Sequence, residues 1–260
     1  AHFWPLERDR LRLRAALRAS AVLPRGSGAV AGSAYPVSRT FLQETLGFDA
    51  IAPNSMDAVS DRDFVAEVLF ACTVLAIHLS RFAEDLIIYG SSEFGFVQFG
   101  ERFSSGSSLM PPKRNPDVLE ITRGSAARLL GDLTALVATL KGLPSSYNKD
   151  IQDDKRSLFD AVDTMLLVLP AFAGSLAEIS FRSDRMRAAL SSSLMATDLA
   201  DYLVHRGASF RESHAAVGGL VRQAEQLGVE LNALPQVSFE AAHPLFGDDA
   251  KAALSADRSV

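Results

Sequence analysis

The sequence has few of the residues that define several common protein classes. Its 260 residues include one cysteine, Cys72, which excludes a disulfide within the chain, and no cysteine–histidine cluster has zinc-site spacing. This cysteine usage favours a reducing, cytoplasmic compartment. The 26 Lys+Arg are outnumbered by 31 Asp+Glu, giving a net charge of -5. Such an acidic chain is poorly suited to bind nucleic acid or an anionic membrane surface.

Long apolar runs and alternating patterns are also lacking. The longest uncharged apolar stretch, roughly residues 164–177, contains Pro170 and is shorter than the ~20 residues of a membrane-spanning helix, so we interpret it as a buried core helix. No segment alternates polar and apolar residues over a useful length, which argues against strands. Hydrophobic residues make up 48% of the chain, enough for a sizeable core. These features predict a soluble, all-α protein.

Three long segments carry a seven-residue hydrophobic repeat. They cover residues 60–89, 115–140 and 152–181, and Val68 and Leu75 illustrate the repeat in the first. This spacing places the apolar residues on one helical stripe and is typical of helices that pack nearly parallel in a bundle. A 30-residue helix is on the order of 45 Å long, which is too long for a compact monomer of this size. We therefore expect a homo-oligomer.

The remaining helices are shorter. Ser38 is the expected N-cap and Gly47 the expected end of the second of them. We predict these helices over residues 5–20, 38–46, 184–190, 195–206 and 210–227. The pattern divides the chain into a long-helix bundle domain over residues 1–182 and a small helical domain over residues 183–260.

The loop at residues 103–115 combines groups that suit an anionic ligand. Gly106 lets the backbone bend, and the serines around it offer hydroxyl groups. Asn115 and Pro116 predict an N-cap and a first helical residue, which would place Lys113 beside a helix N-terminus that favours anions. A carboxylate or phosphate would fit there. From composition alone, a solvated loop before a well-capped helix remains the alternative.

The string from Gly106 to Pro116, GSSLMPPKRNP, resembles the signature GSSxMPxKxNP of the fumarase/aspartase lyase superfamily at every fixed position. Other segments resemble argininosuccinate lyases, namely residues 26–32, 54–67, 140–150, 152–155 and 196–203. The resemblance implies a tetramer built on a central helical bundle with shared active sites. It also implies β-elimination that releases fumarate without a metal or organic cofactor. By the same resemblance the family's N-terminal region is missing, so we expect this chain alone to be inactive.

The resemblance further implies which residues act. Ser107 would be the base, Lys113 would stabilise the anionic intermediate, and Glu120 would pair with a histidine of another subunit. The substrate-binding positions would be Asn115, Arg62, Tyr147, Gln152 and Lys155. Without the resemblance, a first-turn dipole role for Glu120 and a solvated position for Arg62 remain open.

The sequence thus predicts a lyase of arginine biosynthesis that cleaves argininosuccinate to arginine and fumarate. Two alternatives remain open. One is a non-catalytic structural protein, like the lens crystallins related to this family. The other is a different fumarate-releasing lyase of the superfamily.

Overall fold

The computed structural model describes residues 1–106 and 114–255. The chain divides into two compact units, Ala1–Phe181 and Arg182–Val260. The helices of the first unit are α1 (Phe3–Ala19), α2 (Arg39–Leu46), α3 (Ser55–Ser60), α4 (Asp63–Gly90), α5 (Asp117–Leu140) and α6 (Asp154–Ala177). The helical architecture confirms the all-α prediction.

The three long repeats form α4, α5 and α6, which pack together around one apolar core. Fully buried side chains from all three helices meet there, among them Leu69, Leu119, Leu129 and Ala161. The first and third repeats are shorter as helices than predicted. The separate helix α3 precedes α4, and a 3-10 turn over Lys149–Asp153 precedes α6. Helix α2 follows the prediction, because the Ser38 hydroxyl accepts the Phe41 N–H and Gly47 ends the helix at φ 73°.

Short strands, which the sequence pattern did not indicate, tie the loops of the first unit together. Within the described residues there are six strands of two residues each, in three pairs. They are β1 (Val22–Leu23) parallel to β2 (Ala50–Ile51), β3 (Val97–Gln98) antiparallel to β6 (Ser180–Phe181), and β4 (Ser105–Gly106) antiparallel to β5 (Arg114–Asn115). Strands this short have too few residues to show a two-residue period.

Two histidine–aspartate pairs hold α1 along α4 in an antiparallel arrangement. His78 Nδ1 donates to Asp9 at 2.7 Å, and Arg12 donates to the other oxygen of the same carboxylate at 2.7 Å. Seven residues away along each helix the two residue types are exchanged, since His2, the N-cap residue of α1, bonds Asp85 on α4 at 2.7 Å. Asp9 is 1% exposed, whereas the Asp85 side chain is 50% exposed.

We expect the buried pair to contribute much more stability than the exposed pair. Asp9→Ala leaves His78 and Arg12 without their buried acceptor and should lower the free energy of unfolding by ~1–3 kcal/mol. Asp85→Ala removes a solvent-screened pair and should cost less than ~1 kcal/mol. Urea denaturation of the two variants tests this difference. Equal losses in both would contradict the assignment of Asp9 as the main polar contact between α1 and α4.

Two helical stretches of this unit, Asp63–Gly90 and Lys149–Ala177, are long and apolar enough to cross a membrane when judged by length and composition. Both contribute to the core shared with α5. The core helix of a soluble protein passes the same test, so two such stretches are weak evidence for a membrane span.

The second unit has its own apolar core. Its helices are α7 (Ser183–Ala188), α8 (Ala196–His205), α9 (Phe210–Leu227) and α10 (Gln236–Ala242). The 3-10 turns Ser192–Met195 and Leu231–Ala233 lie between these helices, and a third, Ala250–Leu254, follows α10. The core is built by Leu199, Leu203, Leu220, Leu234 and Phe239. Helix α9 spans the predicted residues 210–227, and a capping box between Ser209 and Glu212 fixes its start.

Candidate active site

The loop that carries the signature string is closed at its base by a short ladder. Strand β4 pairs antiparallel with β5, placing Ser105 opposite Asn115 and Gly106 opposite Arg114. The Asn115 amide donates to the Ser105 hydroxyl at 3.2 Å, and the Ser105 N–H donates to the Asp117 carboxylate at 2.7 Å. The entry and the exit of the loop are therefore joined directly in front of α5.

This geometry corrects one expectation and leaves others outside the described residues. Asn115 is not the N-cap of α5, because it lies in β5 and Pro116 takes the cap position. Its side chain is used instead to bond Ser105 across the ladder. Ser107 and Lys113 lie outside the described residues. Glu120 occupies the first turn of α5 with an exposed side chain.

The other predicted residues gather near the start of α6. The Gln152 amide donates to the Tyr147 hydroxyl, so these two side chains already touch. Lys155 pairs with Asp154 at 2.8 Å, and Arg62, the N-cap residue of α4, pairs with the same carboxylate. The Lys155 side chain is 57% exposed and available to a ligand, whereas Arg62 is 16% exposed.

Asp154 and Asp117 were not predicted from the sequence, although Asp154 pairs with two predicted site residues and Asp117 bonds the base of the signature loop. Asp154 is a buried carboxylate that binds two cations, and Asp117 accepts the N–H of Ser105. A buried carboxylate is costly unless it is paired in this way. Both residues start helices. Acidic residues are common in the first turn of a helix because they interact favourably with the helix dipole, so their position in the sequence does not indicate a role in a site.

The predicted residues that the structure describes therefore form two groups at opposite ends of α5. Asn115 and Glu120 lie at its N-terminal end, together with the ladder. Arg62 and Lys155 lie beyond its C-terminal end, because α4 and α6 both run antiparallel to α5. A 24-residue helix such as α5 is about 36 Å long, so no small molecule can touch both groups of the same chain.

Each end offers a hydrogen-bond donor that suits an anionic ligand. The exposed ammonium of Lys155 marks the α6 end, and the amide of Asn115 beside the N-terminus of α5 marks the other. Among residues 1–106 and 114–255, no group of three or more His, Cys, Asp or Glu side chains is arranged to hold a metal ion.

Comparison with known families and proteins identifies the lineage. Residues 1–131 match the family model described as Lyase, and residues 193–260 match the one described as Argininosuccinate lyase C-terminal. The whole chain is 58% identical to an argininosuccinate lyase of Roseiflexus sp. (strain RS-1), of which it covers 57%. It is 48% identical over 261 residues to an argininosuccinate lyase of Chlamydomonas reinhardtii, of which it covers 55%.

A solved structure shows a similar fold. EDDS lyase in complex with formate matches 95% of this chain and 51% of that chain, with a TM-score of 0.81 and 28% sequence identity. This agrees with the bundle architecture expected for the fumarase/aspartase superfamily. The chain spans just over half the length of the curated relatives that it matches. The model over residues 1–131 shows that the chain belongs to the lyase family, and the chain resembles the argininosuccinate lyases of that family along its whole length.

Proposed function

We propose that this protein takes part in arginine biosynthesis as a lyase that cleaves argininosuccinate to arginine and fumarate. The observation that carries the proposal is the 58% identity to an argininosuccinate lyase along the entire chain. The signature string sits in a loop whose two ends are bonded together in front of α5. The reaction is a β-elimination on the succinyl group.

At the signature-loop end, the residues act on the reacting carbons. Ser107 takes a proton from the succinyl carbon beside a carboxylate; the electron pair forms the double bond of fumarate as the C–N bond breaks. The departing guanidinium nitrogen needs a proton from an acid. Lys113 and Asn115 hold the carboxylates and stabilise the extra negative charge of the intermediate. Glu120 orients a histidine supplied by another subunit. The residues named here need no bound cofactor.

At the α6 end, the residues bind the arginine part of the substrate. Tyr147 and Gln152 offer a hydroxyl and an amide that already bond each other. Lys155 offers an exposed ammonium to a carboxylate. Arg62 belongs to this group through the carboxylate of Asp154, which it shares with Lys155.

Because the two ends of one chain are separated by the length of α5, we propose that each active site takes its two ends from different subunits. A further observation supports a homo-oligomer. Helix α6 exposes apolar side chains that the bundle does not cover, including Leu166 at 67% and Leu167 at 74% exposure. Exposed apolar faces of this extent mark protein interfaces. We propose a cytoplasmic homotetramer, with a bundle domain over residues 1–182 and a C-terminal domain over residues 183–260.

A fumarate assay tests the proposed reaction. Because the chain covers 57% of the Roseiflexus relative, the assay uses a hybrid enzyme in which these 260 residues replace the matching part of that relative. We expect fumarate from argininosuccinate and none from adenylosuccinate or aspartate. A matched hybrid carrying Lys155→Met should release much less fumarate, because it lacks one cation of the arginine end.

The alternatives predict different results in this assay. Fumarate released from adenylosuccinate or aspartate instead would identify another lyase of the superfamily. A folded hybrid that releases none from any of the three would contradict the proposed reaction and favour a structural role.

A further inference from the structure

The segment that leads into the signature loop packs against a helix on each of its two sides. We call residues 97–106 the stem. Its first residues pair with β6, and the Phe99 ring packs against Gly90 at the end of α4 with 8% exposure. The 3-10 turn Glu101–Phe103 then packs against the last turns of α6. The stem is thus placed by side-chain contacts before the loop begins.

One of these contacts is made possible by a glycine inside α6. The ring of Phe103 lies directly on the backbone of Gly174. A Cβ at position 174 would come within 3.0 Å of two ring atoms, closer than real Cβ atoms approach their neighbours. Helix propensity alone would favour alanine in the middle of a helix. The close approach of the Phe103 ring, and not the helix, is therefore what requires glycine here.

Phe103 is linked to the base of the loop by only a few residues and bonds. Ser105 follows two residues later and makes two bonds beside the ladder, one to the Asn115 amide through its hydroxyl and one to Asp117 through its N–H. On the exit side, Arg114 donates to the Phe99 carbonyl at 3.1 Å. A displacement of the Phe103 ring that side-chain rotation does not absorb would therefore move the strand that pairs with Asn115.

We propose that the contact between Phe103 and Gly174 is the anchor that sets the position of the β4–β5 ladder, and that Phe103 is a positioning residue for the elimination. Its expected effect on turnover rests on the proposed function, whereas its effect on the ladder does not. In Gly174→Ala the ring must move by about 1 Å to reach an ordinary contact distance, and misplacement on that scale can cost about a hundredfold in rate.

Gly174→Ala tests the anchor, and Gly219→Ala is the matched control. Gly219 also lies inside a helix, but a Cβ there meets nothing within 4 Å. In the hybrid enzyme, we expect Gly174→Ala to lower kcat about 10- to 100-fold with a smaller change in KM, and Gly219→Ala to leave kcat within about twofold. Because alanine favours the helix, the melting temperature of Gly174→Ala should not fall enough to explain that loss.

A second substitution separates the ring from other effects of the new methyl group. Phe103→Leu in the Gly174→Ala background removes the ring atoms that the Cβ would meet. We expect this double variant to recover at least part of the lost kcat. An unchanged kcat in Gly174→Ala, or a double variant no better than the single one, would overturn the proposal.

Amide hydrogen exchange in the 260-residue chain gives a readout that does not depend on turnover. We expect the amides of Ser105 and Gly106 to exchange faster in Gly174→Ala than in the parent chain, and at the parent rate in Gly219→Ala. Exchange that is equal in all three would overturn the anchor even if kcat falls. If the parent hybrid releases no fumarate, the proposed function fails, and the exchange comparison still decides the anchor.

Discussion

Ser107→Ala in the hybrid enzyme should lower kcat for argininosuccinate by at least about a hundredfold, the scale expected for the loss of a general base. The serine hydroxyl is a weak base unless its anion is stabilised, and Lys113 is the nearby cation that the sequence provides. The loss should therefore appear in kcat more than in KM, because the carboxylate-binding residues remain. Fumarate release under saturating argininosuccinate measures it.

Stability should hardly change in this variant, which separates chemistry from folding. Removing one hydroxyl from a Ser/Gly-rich segment should alter the free energy of unfolding by no more than about 0.5 kcal/mol, measured by urea denaturation. Ser108→Ala is the matched comparison, since it removes the neighbouring hydroxyl. If Ser107→Ala kept its activity while Ser108→Ala lost it, the role of base would pass to Ser108.

The sequence was sufficient to predict the long helices because their signal repeats. Apolar residues at seven-residue spacing over more than twenty positions define a helical face wherever the rest of the chain goes. The ends of these helices were harder to place, since they depend on single bonds. Helix α4, for example, starts at Asp63 after a turn in which the Asp63 N–H bonds the Asp61 side chain, and the repeat extends past that turn.

The contacts between site residues could not be predicted from the sequence, for a different reason. Arg62 and Asp154 are separated by 92 positions, and Phe103 and Gly174 by 71. No local pattern records such pairs, because they arise only after the long helices have packed. Asn115 shows the same limit at shorter range. Asn-Pro before a helix predicts an N-cap, but the Asn115 side chain instead donates to the hydroxyl of Ser105, ten residues upstream.

The functional residues were predicted from the resemblance of one string to a family signature, and not from a physical pattern in the sequence. The string identified Ser107, Lys113 and Asn115, and the flanking segments supplied Tyr147 and Lys155. These roles remain predictions, and the geometry adds one constraint to them. The residues at the two ends of α5 cannot serve the same site within one chain.

That constraint predicts that two inactive variants can restore each other's activity. Ser107→Ala disables the signature-loop end of a subunit, and Lys155→Met disables the α6 end. If each site takes these ends from different subunits, some sites in a mixed oligomer combine the intact loop end of one variant with the intact α6 end of the other. Random mixing of equal amounts makes about one quarter of the sites intact in both ends.

The experiment refolds the two hybrid variants together and compares their fumarate release with each variant refolded alone. We expect the mixture to reach about one quarter of parental activity if a tetramer assembles at random. Sedimentation of the mixture confirms that oligomers have formed. The matched control mixes Ser107→Ala with Asn115→Ala, which lie at the same end of α5, so every site in that mixture keeps a defective loop end.

The two mixtures together distinguish shared sites from sites contained within one subunit. Recovery in the first mixture alone supports sites shared across subunits, since only that pair of variants leaves an intact copy of each end. If neither mixture recovers although co-purification of differently tagged variants shows mixed oligomers, both ends would have to serve one site within a chain. That result is incompatible with the separation of about 36 Å imposed by a 24-residue helix, and it would refute the assignment of Lys155 to the active site.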